Sequence, residues 1–482
     1  MITGLSVADF KPFGQMQHVP HSKITLLFGA NSTGKSRLVH ALALLRAALV
    51  WPTTNTLTPS LGMDDRKVLF DIGPLSSVVF RQELSRTISI QATLNLGAKN
   101  NCRFAPAGNS LPETVTIAIA LGHPPACQPA IVAIRLIDTA LDQHVCSIVR
   151  AREGEYTIDE IVPRYFLPPD VPADTKLRLH QAFEGRHVRI ESMNLDPAPD
   201  SRWSNRPSSL IQVLDTDQSD SGQDSDAPAP GVRRSADPLD TVSSILTHLL
   251  QQLDSVVHLS SDRTYAKSKI ILHEGGIEFT PLDWAWLGLL HDEVVSSEVE
   301  RWLQDPKLLN TPYQVRLVDA PSGEGWNGDW SQIVFHDTRF HMSLLHAQVG
   351  FGLSQIIPVL ATLRGDGVFY SIDQPELHLH PRLQTELGDV FIRSVRTRGN
   401  RYLLETHSEH LLLRLLRRIR ETQEGEIPPD SSLALYPEDL SVVVLQATDA
   451  GTKIHQVAID GEGELLDPWP GGFFAERRQE LM

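Results

Sequence analysis

Apolar and polar residues alternate through Thr87–Leu96 (TISIQATLNL), the period of a half-buried strand. Thr114–Leu121, Ile131–Ile137 and His144–Val149 read the same way, so residues 67–160 are predicted to be β-rich. Nearer the start, Ile2–Phe10 has mixed apolar spacing, and Ile24–Phe28 is a short apolar run suited to a strand covered on both faces. From Lys35 to about Val50, Leu38, Val39, Ala41, Leu42, Leu45 and Leu49 recur at helical spacing, and Trp51-Pro52 ends that helix. Further helices are predicted over Pro238–Val257 and Leu282–Leu303, with strands over Tyr313–Val318 and Gln332–His336. Gly367–Asp373 is an apolar strand ending in an acid, and Tyr402–Glu405 is another short strand. The alternation of strand and helix patterns in the last third predicts an α/β layer.

Composition changes this picture at one place. Around 196–240, Pro, Ser, Asp and Gln dominate, as in DTDQSDSGQDSDAPAPG, which predicts a disordered surface insertion. A solvated loop and a partner-binding segment both fit that composition. The chain has 482 residues, 41% of them hydrophobic, enough for a large core in more than one domain. A net charge of −16 repels nucleic acid as a whole, so any such contact needs a local basic patch. Three cysteines, Cys102, Cys127 and Cys146, argue against a disulfide framework and for a reducing compartment. With no long apolar run and no secretion signal at the start, the expectation is a cytoplasmic protein with no membrane span.

Candidate chemistry begins at residues 24–36, ITLLFGANSTGKS. Gly29, Gly34, Lys35 and Ser36 meet the phosphate-loop pattern between an apolar strand and a helix, the context that such a loop requires. The glycines let backbone amides turn inward around phosphate oxygens. The new helix adds its positive end. Lys35 supplies a point charge for the β- and γ-phosphates, and the Ser36 hydroxyl a magnesium ligand. The ATP-binding residues are therefore expected to be Gly29, Ala30, Asn31, Ser32, Thr33, Gly34, Lys35, Ser36 and Arg37. Such a site needs a carboxylate on a neighbouring strand. Asp373 is the candidate, with Ser36, for Mg2+.

Four motifs together carry a family likeness: GANSTGKS, GFGLSQ at Gly350–Gln355, DQPELHLHP at Asp373–Pro381 and ETHSEH at Glu405–His410. The chain resembles the RecF/SMC-like and OLD-type soluble ABC ATPases. Its segment Gly463–Phe474 (GELLDPWPGGFF) resembles the ending of one subgroup. The resemblance is good over roughly the first 50 and last 140 residues and weak between them. It implies an α/β ABC-ATPase head, a P-loop NTPase with two lobes taken from the two ends of the chain. The expected parts are an N-terminal lobe over 1–160, an inserted helical arm over 161–310, and a C-terminal lobe over 311–482. It implies ATP and Mg2+ as cofactors. It also implies a homodimer, or a higher even oligomer, closed around nucleotide. In that dimer the signature residues Gly350, Gly352, Ser354 and Gln355 cap the γ-phosphate of the other subunit. Read without the family, GFGLSQIIPVL is a glycine turn before a buried helix.

His407 stands where the family has its γ-phosphate-sensing histidine, while Ser408 also reads as a helix cap. Where most relatives carry a catalytic Glu after the strand-end acid, this chain has Gln374. An amide hydrogen-bonds water but takes no proton at neutral pH. Two outcomes follow: slow hydrolysis with Glu376 or Glu405 assisting, or a non-hydrolysing ATP sensor or scaffold. His378 and His380 pair as HLH but lack a third ligand at metal spacing. Arg393, Arg396, Arg398, Arg401, Arg414, Arg417 and Arg418 make basic clusters that read either as solvated helix faces or as a nucleic-acid surface. The resemblance further implies that Arg263, in HLSSDRT, reaches the site. It suggests a DNA-linked or anti-phage defence setting with a nuclease or toxin effector encoded nearby. No D-x-D pair follows His410, so a Toprim nuclease is not expected within this chain, and the incomplete signature argues against a membrane transporter.

Overall fold

The computed structural model describes residues 1–50, 60–61, 68–69, 74–97, 111–122, 130–152, 155–167, 171–190, 211–213, 238–261, 263, 270–271, 293–319, 330–345, 348–349 and 351–470. Strands β1 (Ile2–Ala8), β2 (Gln17–Pro20) and β3 (Ile24–Gly29) come first, followed by helix α1 (Lys35–Val50). The two-residue strands β4 (Ser60–Leu61) and β5 (Val68–Leu69) and the short helix α2 (Leu75–Val78) come next. Then follow β6 (Ile88–Asn95), β7 (Thr114–Gly122), β8 (Ala130–Asp138), β9 (Gln143–Arg152) and β10 (Glu155–Ile161). Helix α3 (Ala173–Phe183) precedes β11 (His187–Ile190) and β12 (Ile211–Val213). Helix α4 (Pro238–Asp254), β13 (Val256–Leu259), β14 (Ile270–Ile271) and α5 (Glu293–Gln304) lead to β15 (Tyr313–Asp319), β16 (Trp330–Asp337) and β17 (Met342–Leu345). The last part is α6 (Phe351–Leu360), β18 (Phe369–Asp373), α7 (Pro381–Arg398), β19 (Arg401–Glu405), α8 (Glu409–Gln423), β20 (Leu440–Thr448) and β21 (Gly451–Val457).

The fold is mixed α/β, as the patterning predicts, and the chain divides into two compact units. The first takes its described residues from Met1–Val19, His40–Ser60 and Phe70–Asp254. Its main feature is a nine-stranded sheet in the order β12-β11-β10-β9-β8-β7-β6-β1-β2. Pairing from β12 through to β1 is antiparallel. In β6, Ile88, Ile90, Ala92 and Leu94 are buried while the residues between them are less so, which is the alternation read in the sequence.

The second unit takes its described residues from Pro20–Val39, Leu61–Leu69 and Ser255–Met482. Its six-stranded sheet runs β13-β18-β19-β3-β20-β21. The first five strands are parallel, and β21 returns antiparallel. Strand β3 lies between two neighbours and is buried at all six positions, which is why it reads as a continuous apolar run rather than an alternating one. Helix α8 buries Leu411, Leu412, Leu415, Leu416 and Ile419, a stripe at helical spacing. Burying each Leu contributes about 1.5–3 kcal/mol, and truncating a fully buried one such as Leu415 to Ala costs about 2–5 kcal/mol. Ser408 caps the helix by accepting the Leu411 N–H at 3.0 Å.

Two expectations are corrected, and part of a third lies outside the described residues. Helix α4 stops at Asp254 instead of reaching Val257, because Val256 and Val257 enter the ladder beside Phe369 and Tyr370. Sheet pairing of two β-branched residues here overrides the helical period. Of the segment 196–240 expected to be disordered, Ile211–Val213 forms strand β12 on β11 and Pro238 starts α4; residues 196–210 and 214–237 lie outside the described residues. Of the expected helix Leu282–Leu303, Glu293–Gln304 is helical and 282–292 lie outside the described residues. The stretch 161–310 holds α3, α4 and α5 but also strands, of which β11 and β12 extend the nine-stranded sheet and β13 the six-stranded one. Among the described residues, no helix is long and apolar enough to cross a membrane.

Candidate functional site

The parallel sheet places three strand ends side by side. Asp373 on β18 is in register with Glu405 on β19, Glu405 with Leu27 on β3, and Gly29 with Leu445 on β20. Ligands of open α/β sheets gather at this carboxyl edge.

The loop after β3 is shaped by its glycines and by two threonines. Gly29 has φ +147°, and a Cβ there would lie 2.6 Å from the Leu445 carbonyl oxygen, so no larger residue fits. Gly34 has φ +101° and Ser32 φ +66°, two more backbone angles in the left-handed region. Thr33 Oγ1 donates to the Ala30 carbonyl at 2.9 Å, and Thr452 Oγ1 on β21 donates to the Thr33 carbonyl at 2.8 Å. Ala30, Asn31, Ser32 and Arg37 are exposed around this frame. Lys35 is 4% exposed and donates to the carbonyls of Gly29 at 2.8 Å and Ala30 at 3.1 Å. Burial lowers its pKa, while Glu405 and Asp373 act the other way.

Next to the loop stand two carboxylates. Ser36 Oγ donates to Glu405 Oε2 at 2.8 Å, and Glu405 Oε1 lies 3.7 Å from Lys35 Nζ. Asp373 is pushed up to about 7, first by burial and then by Glu405; Arg263 and Lys35 oppose the rise. His258 Nε2 lies 3.8 Å from Asp373 Oδ2. Burial, with Arg263 nearby, holds His258 down to about 4, so this imidazole is neutral at pH 7 and the contact is not an ion pair. His258 drew no attention in the sequence, because nothing local ties it to Asp373; the parallel pairing of β13 with β18 does.

The residues after Asp373 make a strained turn. Gln374 has φ +46° and His378 φ +63°, and a left-handed residue of this kind costs about 1–2 kcal/mol. The Gln374 N–H donates to the Glu405 carbonyl at 2.7 Å. Glu376, 7% exposed, accepts the His407 backbone N–H on Oε1 at 2.8 Å, and burial raises its pKa. The His407 pKa is lowered, first by burial and then by Lys35, with Glu405 opposing. Arg263 is buried and donates to backbone carbonyls of this turn instead of reaching toward Ser36.

Other expected residues lie elsewhere. Gly350 and the side chain of Ser354 are outside the described residues. Gly352 faces the His378 carbonyl, 3.2 Å from where its Cβ would be, and Gln355 is 1% exposed in the interior. His380 caps α7 by accepting the Arg382 N–H at 3.3 Å. The arginines that read either as solvated helix faces or as a nucleic-acid surface have partners within the chain. Arg414 and Arg418 bind Asp389, at 2.8 and 2.6 Å, and Arg417 binds Glu421. Arg393 meets Glu298, Arg398 meets Asp366, Arg396 donates to the Pro429 carbonyl and Arg401 to the His21 carbonyl. Sequence spacing shows the cations on one face but not the acids that another helix brings to them.

Among the described residues, no cluster of three or more His, Cys, Asp or Glu is arranged to hold a metal on its own. The donors that are present suit Mg2+ in another way: one hydroxyl, Ser36, with carboxylates close enough that Glu405 raises the Asp373 pKa. A cation relieves that repulsion, and Mg2+ is commonly held by one or two carboxylates together with substrate phosphates.

Residues 331–412 match the family model described as AAA ATPase domain, a segment that contains Asp373, Gln374, Glu376, Glu405 and His407. The match is to an AAA ATPase domain and covers this segment alone. No curated protein matches the chain. One similar solved structure is an SMC head bound to the C-terminal winged-helix domain of ScpA. It is 12% identical with a TM-score of 0.44, over 95% of this chain and 98% of that one. Another is the SMC head domain from Thermotoga maritima, 9% identical with a TM-score of 0.32, over 95% and 99%. A third is the Smc head domain with an extended coiled coil bound to the C-terminal domain of ScpA derived from Pyrococcus furiosus, 11% identical with a TM-score of 0.40, over 95% and 96%. Likeness at this level carries no functional argument.

Proposed function

We propose that this AAA-type ATPase binds Mg2+–ATP in the Gly29–Ser36 loop and hydrolyses it slowly, with Glu405 as the carboxylate that orients and deprotonates the attacking water. The observation that carries the reading is the contact of Glu405 with Ser36 at 2.8 Å, beside Asp373 in the same register. When ATP enters, Lys35 exchanges the carbonyls of Gly29 and Ala30 for phosphate oxygens. Backbone amides of the loop take the remaining phosphate charge. Ser36 and Asp373 would hold Mg2+, which would supply neutralisation of phosphate charge. Gln374 orients water without accepting a proton, which makes turnover slow. Glu376 Oε1 accepts the His407 N–H, so Glu376 is assigned to holding the His407 backbone.

The signature stretch Gly350–Ser354, with Gln355 buried behind it, is proposed to meet nucleotide held by a second copy, so that ATP closes a dimer and hydrolysis opens it. A separately encoded effector would read that switch; this last step rests on the family resemblance alone. The second reading, an ATP sensor that does not hydrolyse, is favoured by one observation, the amide at position 374.

Paired variants test the assignment. Glu405→Gln should lower phosphate release by about 100-fold or more while ATP still binds. Glu376→Gln keeps an acceptor for the His407 N–H and should stay within about threefold of wild type. Loss of turnover in Glu376→Gln with retention in Glu405→Gln would reverse the assignment.

A further inference from the structure

We infer that Arg263 is a positioning residue for this site, a guanidinium fork that fixes the left-handed turn at Gln374 by gripping its backbone. Arg263 Nη1 donates to the Asp373 carbonyl at 2.6 Å and to the Ser260 carbonyl at 2.9 Å, and Nη2 donates to the Gln374 carbonyl at 2.7 Å. The side chain is 1% exposed. A buried guanidinium spent on main-chain oxygens is an expensive arrangement, and the backbone it grips is one that resists its own conformation. Gln374 has φ +46°, and Pro375 follows it, which narrows its choices further.

The grip works from one side while the sheet works from the other. The Gln374 N–H is bonded to the Glu405 carbonyl, so the peptide groups on both sides of Gln374 are tied down. With both ends tied, the Gln374 Cα–Cβ bond, from which the side chain starts, keeps a fixed direction relative to Asp373 and Glu405. The cation also faces the two buried carboxylates of this turn, Asp373 and Glu376, and lowers the cost of having both there. Lysine keeps the charge but cannot span two carbonyls in one plane. Arg263 therefore acts through Gln374 and Asp373 and does not touch nucleotide.

The catalytic consequence rests on the ATPase reading; the grip itself does not, and the experiment separates them. Hydrogen–deuterium exchange is followed on the full chain without nucleotide, in wild type and Arg263→Lys. The Gln374 amide segment, 372–377, should exchange at least about tenfold faster in the variant, with α7 and α8 unchanged. With ATP, Arg263→Lys should bind within about threefold of wild type and lose about tenfold in kcat. Changing Gln374 to Asn, which tolerates left-handed backbone and keeps the amide, should recover part of that kcat in the Arg263→Lys background. Unchanged exchange at 372–377, or a rise spread over the whole unit, would overturn the grip. Faster local exchange in a protein whose wild type releases no phosphate would leave the grip standing and remove the ATPase reading.

Discussion

Two carboxylates at neighbouring strand ends set the electrostatics of single residues here, and Asp373 shows the effect in a pH profile. Its pKa rises from an ordinary 3.8 to about 7. An acid raised on folding takes up protons in the folded state, so its contribution to stability falls as pH climbs from about 4 to about 7. His258 works in the opposite sense. Held down to about 4, it releases its proton on folding, and stability gains as pH rises from there to 6.5. Asp373→Asn should therefore flatten or remove the decline between about pH 4 and 7 in a Tm-against-pH curve taken without nucleotide, leaving the His258 rise. A curve unchanged by Asp373→Asn would show that the acid titrates normally. At this scale the sequence discloses the local parts of the site and little else. Gly29, Gly34, Lys35 and Ser36 fall in one short run whose spacing is itself the signal. Arg263 gripping Asp373 and Gln374, and Glu405 on Ser36, depend on the register of strands far apart in the chain.

Elements were readable where one period dominates. Strand β6 alternates, α1 is a long, largely apolar segment, and β3 is apolar throughout, so each appears near its expected position. Strand β13 was misread as the end of a helix, because only its pairing with β18 distinguishes two valines in a strand from two in a helix. The α7–α8 pair shows the same limit for charge. Asp389 is 3% exposed and takes Arg414 at 2.8 Å and Arg418 at 2.6 Å. What reads along α8 as a basic face is in part an internal network with α7. Removing the acid leaves two partly buried cations without it, a loss of about 3–5 kcal/mol for a broken buried pair. Asp389→Ala should lower the denaturant midpoint accordingly, whereas Arg417→Ala, on a side chain 60% exposed, should change it little. Equal small effects from both would show that the network contributes nothing to the pairing of these helices.

For the whole molecule, the account predicts an assembly that follows nucleotide. With Glu405→Gln trapping bound ATP, sedimentation velocity should show a shift from monomer to dimer on adding Mg2+–ATP, and Lys35→Ala should show none. A chain that stays monomeric in both would remove the proposed trans contact of the signature stretch. Its net charge of −16 and the internal pairing of its arginines give no reason to expect nucleic acid as the trigger. The most direct test of the central claim is phosphate release from Mg2+–ATP by purified wild type, measured against Lys35→Ala. The account predicts slow release by wild type and background release by the variant; equal release by both would contradict it.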